Sequence, residues 1–151
     1  MVKASYNPGT KGTDMSTNWK NIARTCLEGA ESGAMTFPQI VGTLIEAGFD
    51  GYAVDLRRAT TIYYRPDGET IELEATPTKL VAEYFDASKV KEAIGEAQAL
   101  VPGYTYRGFC DKVATAGCAG YLVSFPGKRV LYYGRSGETH TEYFPGSGHQ
   151  R

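Results

Sequence analysis

Two glutamates stand at matching places in two similar stretches of the chain and are the first candidates for chemistry. Glu69 follows a glycine in "RPDGET", and Glu138 follows a glycine in "GRSGET". Two carboxyl groups held close together can act as a general acid and a general base. Nothing in the sequence forces the two together, so the alternative is that each gives local polarity to a turn and discourages association through strand edges.

Two pairs of consecutive tyrosines are candidates for ligand binding. Tyr63 and Tyr64 form one pair, and Tyr132 and Tyr133 form the other. Consecutive side chains of a strand point to opposite faces, so we expect one ring of each pair in the core and one on an open face. Exposed rings can stack a base or another aromatic ligand, at about 1–3 kcal/mol per base. Alternatively, the pairs only stabilise the sheet by cross-strand contacts.

Two short basic segments are candidates for binding phosphate groups. "LRRAT" carries Arg57 and Arg58, and "PGKRV" carries Lys128 and Arg129. Two such loops together can bind a phosphate group, because the guanidinium group matches the geometry of the phosphate oxygens. Alternatively, these residues are solvated charges at the ends of hairpins. The net charge of −1 and the pI of about 6.1 argue against a nucleic acid or an anionic membrane as partner.

Nucleophiles and metal ligands are few. Cys26, Cys110 and Cys118 form no CxxC pair, which fits reduced thiols that pack as small hydrophobic side chains. His140 can serve as a base, but the only other histidine is His149, so no zinc site is predicted. Motifs of P-loops, dinucleotide folds, serine hydrolases and zinc proteases do not occur. The sequence therefore predicts no metal and no cofactor, and it favours a non-catalytic protein.

The candidates lie in two stretches that look like copies of each other. "AGFDGYAVDLRRATTIYYRPDGET" at residues 47–70 and "AGCAGYLVSFPGKRVLYYGRSGET" at residues 116–139 agree at ten of 24 positions without a gap. Chance would give about one or two matches in sequences of average composition. The sequence therefore predicts an internal duplication, with matching positions 69 residues apart.

Each copy is predicted to begin with two helices. Apolar residues recur at helical spacing over about 19–30 and 37–45 in the first copy, and over about 88–100 and 109–114 in the second. Ser88 is the predicted N-cap of the third helix, because a hydroxyl there can accept a bond from the first turn.

Three strands are predicted after each pair of helices. Residues 52–56 alternate between apolar and polar types, and residues 61–65 are rich in β-branched and aromatic types. The turns "RPDGET" and "GRSGET" then lead into a third strand, at about 70–75 in the first copy and 140–144 in the second.

A single three-stranded unit of this kind leaves an apolar face and two edges exposed. We therefore predict one α+β domain at residues 19–144, built by duplication of an ααβββ unit (about 19–75 and 86–144). Its antiparallel sheet is covered on one face by helices, and the copies are related by a pseudo-two-fold axis. Residues 1–18 and 145–151 are predicted as flexible tails, and translation can start at Met1 or Met15.

Several stretches resemble a known family. They are "AGFDGYAVD" with "TIYYRPDGET", "YRGFCDKVATAG", and "GYLVSF" with "VLYYGRSGE". Over roughly residues 19–144 the chain is similar to small bacterial and prophage proteins classed as domain of unknown function 1398, some of which are labelled phage envelope protein. The resemblance implies a compact α+β domain without an established activity. It therefore assigns no functional residues in this chain.

The sequence as a whole predicts a small binding or interaction protein. It would use its aromatic sheet face, or a groove between the copies, to meet an unknown protein partner or a second copy of itself as a homodimer. The polar first 18 residues and the absence of an apolar run of about 20 predict a cytoplasmic protein without a membrane span. The alternative is an enzyme or small-ligand protein with a pocket between the copies, using Glu69, Glu138, His140 or tyrosine hydroxyls.

Overall fold

The computed structural model describes residues 11–145, with side chains from residue 18 onward. This part of the chain forms four helices and six strands in the order ααβββααβββ, which confirms the α+β prediction. The helices are α1 (Lys11–Ser32), α2 (Phe37–Glu46), α3 (Ala87–Ala99) and α4 (Tyr106–Thr115), and the strands are β1 (Gly51–Asp55), β2 (Thr60–Tyr64), β3 (Thr70–Glu74), β4 (Cys118–Ser124), β5 (Arg129–Gly134) and β6 (Thr139–Tyr143).

All six strands belong to one antiparallel sheet with the order β3-β2-β1-β4-β5-β6. We call α1 to β3 the first unit, α3 to β6 the second unit, and residues 75–86 the linker. Each unit supplies a meander of three consecutive strands, and the units join through β1 and β4 at the centre of the sheet.

The first helix is longer than the sequence analysis predicts. It begins at Lys11 instead of about residue 19, so it includes part of the predicted N-terminal tail. The physical reason is that no proline lies between Pro8 and Pro38, so the backbone of polar residues can continue the hydrogen-bond ladder. The remaining predicted tail positions, residues 1–10 and 146–151, lie outside the described residues.

The starts of α2, α3 and α4 are fixed by side-chain caps. Thr36 caps α2 in a capping box with Gln39, and Thr105 caps α4 by accepting a bond from the Gly108 N–H at 3.0 Å. The cap of α3 is Asp86 and not Ser88 as predicted, because the Asp86 carboxylate accepts from both the Lys89 N–H and the Ser88 hydroxyl. These hydrogen bonds lower the pKa of Asp86, as expected for an anion at a helix N-terminus.

One face of the sheet is buried and forms a single core with the helices. Tyr52 lies opposite Tyr63 in the first unit, and Tyr121 lies opposite Tyr132 in the second. All four are buried, together with side chains from α2, α3 and α4: Leu44, Val90 and Val113.

Two hydrogen bonds flank the central strand pair. The Leu56 N–H donates to the Ala119 carbonyl at 2.9 Å, and the Phe125 N–H donates to the Asp50 carbonyl at 3.1 Å. The two donors are 69 positions apart in the sequence, and so are the two acceptors. The two units therefore contact each other through matching backbone groups.

Candidate functional site

The second face of the sheet, which we call the open face, carries a row of apolar side chains across its four middle strands. Ile62, Ala53, Leu122 and Leu131 lie side by side on β2, β1, β4 and β5. Leu122 is 40% exposed and the other three are partly exposed. We call these four residues the apolar row. Neighbouring apolar side chains that reach the surface together can contribute to a site that binds another molecule.

The predicted tyrosine pairs are divided between the two faces. Tyr63 and Tyr132 are only 3% and 6% exposed, and they lie in the core. Tyr64 and Tyr133 lie on the open face at diagonal corners of the apolar row and are partly exposed. Of the four tyrosines, Tyr64 and Tyr133 are therefore the ones that can contact a ligand.

The two open-face tyrosines have different surroundings. Tyr133 lies across Gly120, where a methyl group would collide with the Tyr133 hydroxyl. Tyr64 pairs with Gly51, but the nearest obstacle to a methyl group there is the Val123 carbonyl. Burial, and secondarily the charge of Asp55, raise the pKa of Tyr133. Tyr133 is thus partly packed into the sheet surface.

The predicted basic segments lie at opposite ends of the sheet. Arg57 and Arg58 follow β1, whereas Lys128 and Arg129 stand at the start of β5, and the antiparallel pairing of β1 with β4 separates the two turns. Four residue steps of a strand put about 13 Å between the two ends. One chain therefore does not bring both segments to one phosphate. Arg58 instead pairs with Glu72 at 3.1 Å.

The two candidate glutamates are separated in the same way. Glu69 lies in the β2–β3 turn, at the end of the sheet that holds Lys128, and Glu138 lies in the β5–β6 turn at the other end. Glu69 is 4.0 Å from Arg65 Nε, and Glu138 accepts a hydrogen bond from the Ser136 hydroxyl at 3.2 Å. Within one chain, the carboxyl groups do not form an acid–base pair.

The buried thiols are poor nucleophiles. Burial raises the pKa of Cys110 to about 12 and that of Cys118 to about 11, and it also raises the pKa of Cys26. All three are therefore protonated at neutral pH, whereas the thiolate is the reactive form.

The His140 side chain interacts with another residue of the same strand, β6. Its Nε2 lies 2.9 Å from Glu142 Oε1, and its ring stacks on Tyr132. Among the side chains of residues 18–145, no group of three or more His, Cys, Asp or Glu is arranged to hold a metal ion. Over residues 11–145, no helix is long and apolar enough to cross a membrane.

A small cavity lies beside the β1–β2 turn, with Glu31, Thr60, Tyr106 and Asp111 among its lining residues. Its volume of about 30 Å³ is enough for a water molecule and far below the several hundred Å³ of a metabolite site. The Thr60 hydroxyl is buried without a protein hydrogen-bond partner, so a water molecule in this cavity would satisfy it. The cavity is therefore structural.

A second exposed apolar surface lies on the linker. Leu80 and Tyr84 are 91% and 80% exposed, while Val81 between them is buried. The linker backbone is held in place, since the Ala82 N–H donates to the Ala114 carbonyl at 3.0 Å. Leu80 provides a comparison position for experiments on the open face.

The apolar row is not predicted by the sequence alone. Period-two alternation shows that Ala53 and Leu122 point away from Tyr52 and Tyr121, but only the pairing of β1 with β4 brings them together. That pairing joins positions 69 residues apart, which no local pattern indicates.

A comparison of the chain with models of known protein families gives no match, and a search among curated proteins finds no similar sequence. The functional interpretation therefore depends on the geometry of the open face.

Proposed function

We propose that the protein is a non-catalytic binding module that contacts a protein partner through its open face. The apolar row carries this proposal, because four adjacent strands present apolar side chains on the face opposite the core. Tyr64 and Tyr133 flank the row, and tyrosine is frequent among residues that dominate binding free energy. Covering such surface is favourable by about 25 cal/mol per Å² of apolar area.

We also propose that the two units arose by duplication and are related by a pseudo-two-fold axis between Ala53 and Leu122. The backbone conformation supports the duplication even at matching positions that carry different residue types. Ala59 and Lys128, 69 positions apart, both have positive φ, of 58° and 51°. The carbonyl of each accepts a bond from the residue after the third strand, at 2.8 Å from Ala75 and 2.9 Å from Phe144. The quoted stretches support, as a further proposal, distant membership of the family of unknown function 1398.

Site-specific photo-crosslinking in cells tests the binding function. A photoreactive amino acid replaces Leu122 on the open face, and in a matched control it replaces Leu80 on the linker. We expect a discrete adduct from position 122 that disappears when Ile62→Glu places a charge in the apolar row. The absence of an adduct from position 122, or the same adduct from position 80, would contradict the proposal.

A further inference from the structure

We propose that the partner is a second copy of this chain, stacked open face to open face about a two-fold axis parallel to the strands. This inference rests on the proposed binding function and names its partner. Facing sheets in proteins pack about 10 Å apart with their strands within about 30° of each other. A two-fold axis parallel to the strands keeps the position of each residue along its strand and reverses the order of the strands.

The apolar row is complementary to itself under this symmetry. The reversed order β3-β2-β1-β4-β5-β6 places β1 over β4 of the second copy and β2 over β5. Leu122 then faces Ala53 of the second copy, and Ile62 faces Leu131. A large side chain thus meets a small one at the centre, so the two surfaces can interdigitate as packed sheets do.

The charged side chain beside the apolar row is also accommodated. Glu72 lies next to Ile62 and Thr141 lies next to Leu131, so the axis places the Glu72 carboxylate over the Thr141 hydroxyl of the second copy. The carboxylate thus meets a hydrogen-bond donor and not a second carboxylate. Stacking about this axis therefore brings no like charges together in line with the row.

The other way of stacking two open faces is less favourable. A two-fold axis across the strands places each strand over its own counterpart. Glu72 would then face Glu72, Leu122 would face Leu122, and Ala53 would face Ala53. Like charges directly opposite each other repel, and two facing alanines leave a gap. Charge and shape both select the axis parallel to the strands.

The size of the face predicts a transient dimer. Each strand of about five residues directs two or three side chains to this face, so the six strands supply about 15 residues. Stable interfaces contain about 20–30 residues on each side, so this interface belongs to the small, reversible class. We therefore expect monomer and dimer to exchange, with the dimer fraction rising with protein concentration.

Sedimentation equilibrium of the full chain at several concentrations tests the dimer. We expect a monomer–dimer equilibrium in which Leu122→Glu weakens association by about tenfold or more, because a charge would be buried against Ala53 of the second copy. The same change on the linker, Leu80→Glu, leaves the equilibrium unchanged. A monomer at every concentration, or equal loss of dimer in both variants, would overturn the proposal.

Cysteine crosslinking distinguishes the two axes. Ile62→Cys and Leu131→Cys proteins are mixed with a short bismaleimide, to which the buried native thiols Cys26, Cys110 and Cys118 are poorly accessible. We expect crosslinked dimers mainly in the mixture. Dimers formed equally well by each variant alone would contradict an axis parallel to the strands.

The dimer and the binding function can fail separately. If the purified chain stays monomeric while a photoreactive residue at position 122 captures a different protein in cells, the dimer is wrong and the binding function stands. If position 122 captures nothing, both proposals fail.

Discussion

In the first unit the carbonyl that follows α2, that of Ala47, accepts a hydrogen bond from the Arg65 side chain at 2.9 Å. In the second unit the matching carbonyl, that of Ala116, accepts from the backbone N–H of Asp86 at 2.7 Å. The same acceptor at the same helix-to-strand corner is thus satisfied by a side chain in one unit and by the linker in the other.

The residues around the two corners explain this difference. The Arg65 guanidinium lies 4.8 Å from the Trp19 ring and 5.7 Å from the Phe49 ring. The residue 69 positions after Arg65 is Gly134, and the Phe85 side chain of the linker packs against it, 2.9 Å from where a Cβ would lie. In the first unit the helix-to-strand corner is therefore packed by side chains of that unit, whereas in the second unit the same corner is packed by the linker.

A glycine substitution at the two corners should reveal the difference most strongly. Gly48 and Gly117 both have positive φ, of 93° and 96°. A Cβ on Gly117 would collide with the Tyr84 carbonyl, whereas a Cβ on Gly48 would lie 3.4 Å from the flexible Arg65 side chain. We expect Gly117→Ala to lower the free energy of unfolding by about 3 kcal/mol or more and Gly48→Ala by about 1 kcal/mol. Urea unfolding measures both, and equal losses would show that the linker does not hold the second corner.

Removal of Arg65 should have the next largest effect. Arg65→Ala leaves the Ala47 carbonyl without its donor and removes the contacts with two aromatic rings, so we expect a loss of about 2 kcal/mol. Arg135, one residue beyond Gly134, makes only a long bond of 3.4 Å to the Val81 carbonyl, so Arg135→Ala should cost about 0.5 kcal/mol or less. Similar losses in the two variants would contradict the special role of Arg65.

A hydroxyl pair is present in the second unit alone. The Tyr106 and Tyr121 hydroxyls are 2.7 Å apart in the core, and Phe37 holds the position that matches Tyr106 in the first unit. Tyr121→Phe leaves the Tyr106 hydroxyl without this partner, so we expect a loss of about 1–2 kcal/mol in thermal or urea unfolding. Tyr52→Phe, the matching change in the first unit, should cost less, and the reverse order would contradict this account.

The smallest effect at neutral pH is expected for Cys110→Val, which introduces the residue that the first unit has at the matching position, Val41. The raised pKa of Cys110, about 12 against 9.0, means that the folded state keeps this proton while the unfolded state loses it. The stabilisation from the thiol is therefore complete below pH 9 and is lost as the pH rises towards 12. We expect Cys110→Val to change little at pH 7 and to reduce the loss of stability between pH 9 and 12. An unchanged pH dependence would contradict the shifted pKa.

Local patterns predicted the parts of each unit that depend on nearby residues. Period two along the strands predicts that one tyrosine of each pair lies in the core and the other on an open face, and helical spacing predicts α2 and α4. Which tyrosine of each pair is buried is known only from the structure. The contacts that the sequence did not predict join distant positions, such as Arg65 with Trp19 or Asp86 with Ala116. The sequence predicts Ser88 instead of Asp86 as the cap of α3, because both residue types cap helices and only the backbone path selects one of them.

The central pairing of β1 with β4 has a consequence for synthesis on the ribosome. When β1 leaves the ribosome, β2 and β3 follow within about twenty residues, but β4 is made 69 residues later. At a synthesis rate of about 5–20 residues per second, the edge of β1 that pairs with β4 stays unpaired for about 3–14 s. During that interval Ala53 and its neighbours present an unpaired strand edge in the crowded cell, and a holding chaperone should bind the nascent chain most strongly there.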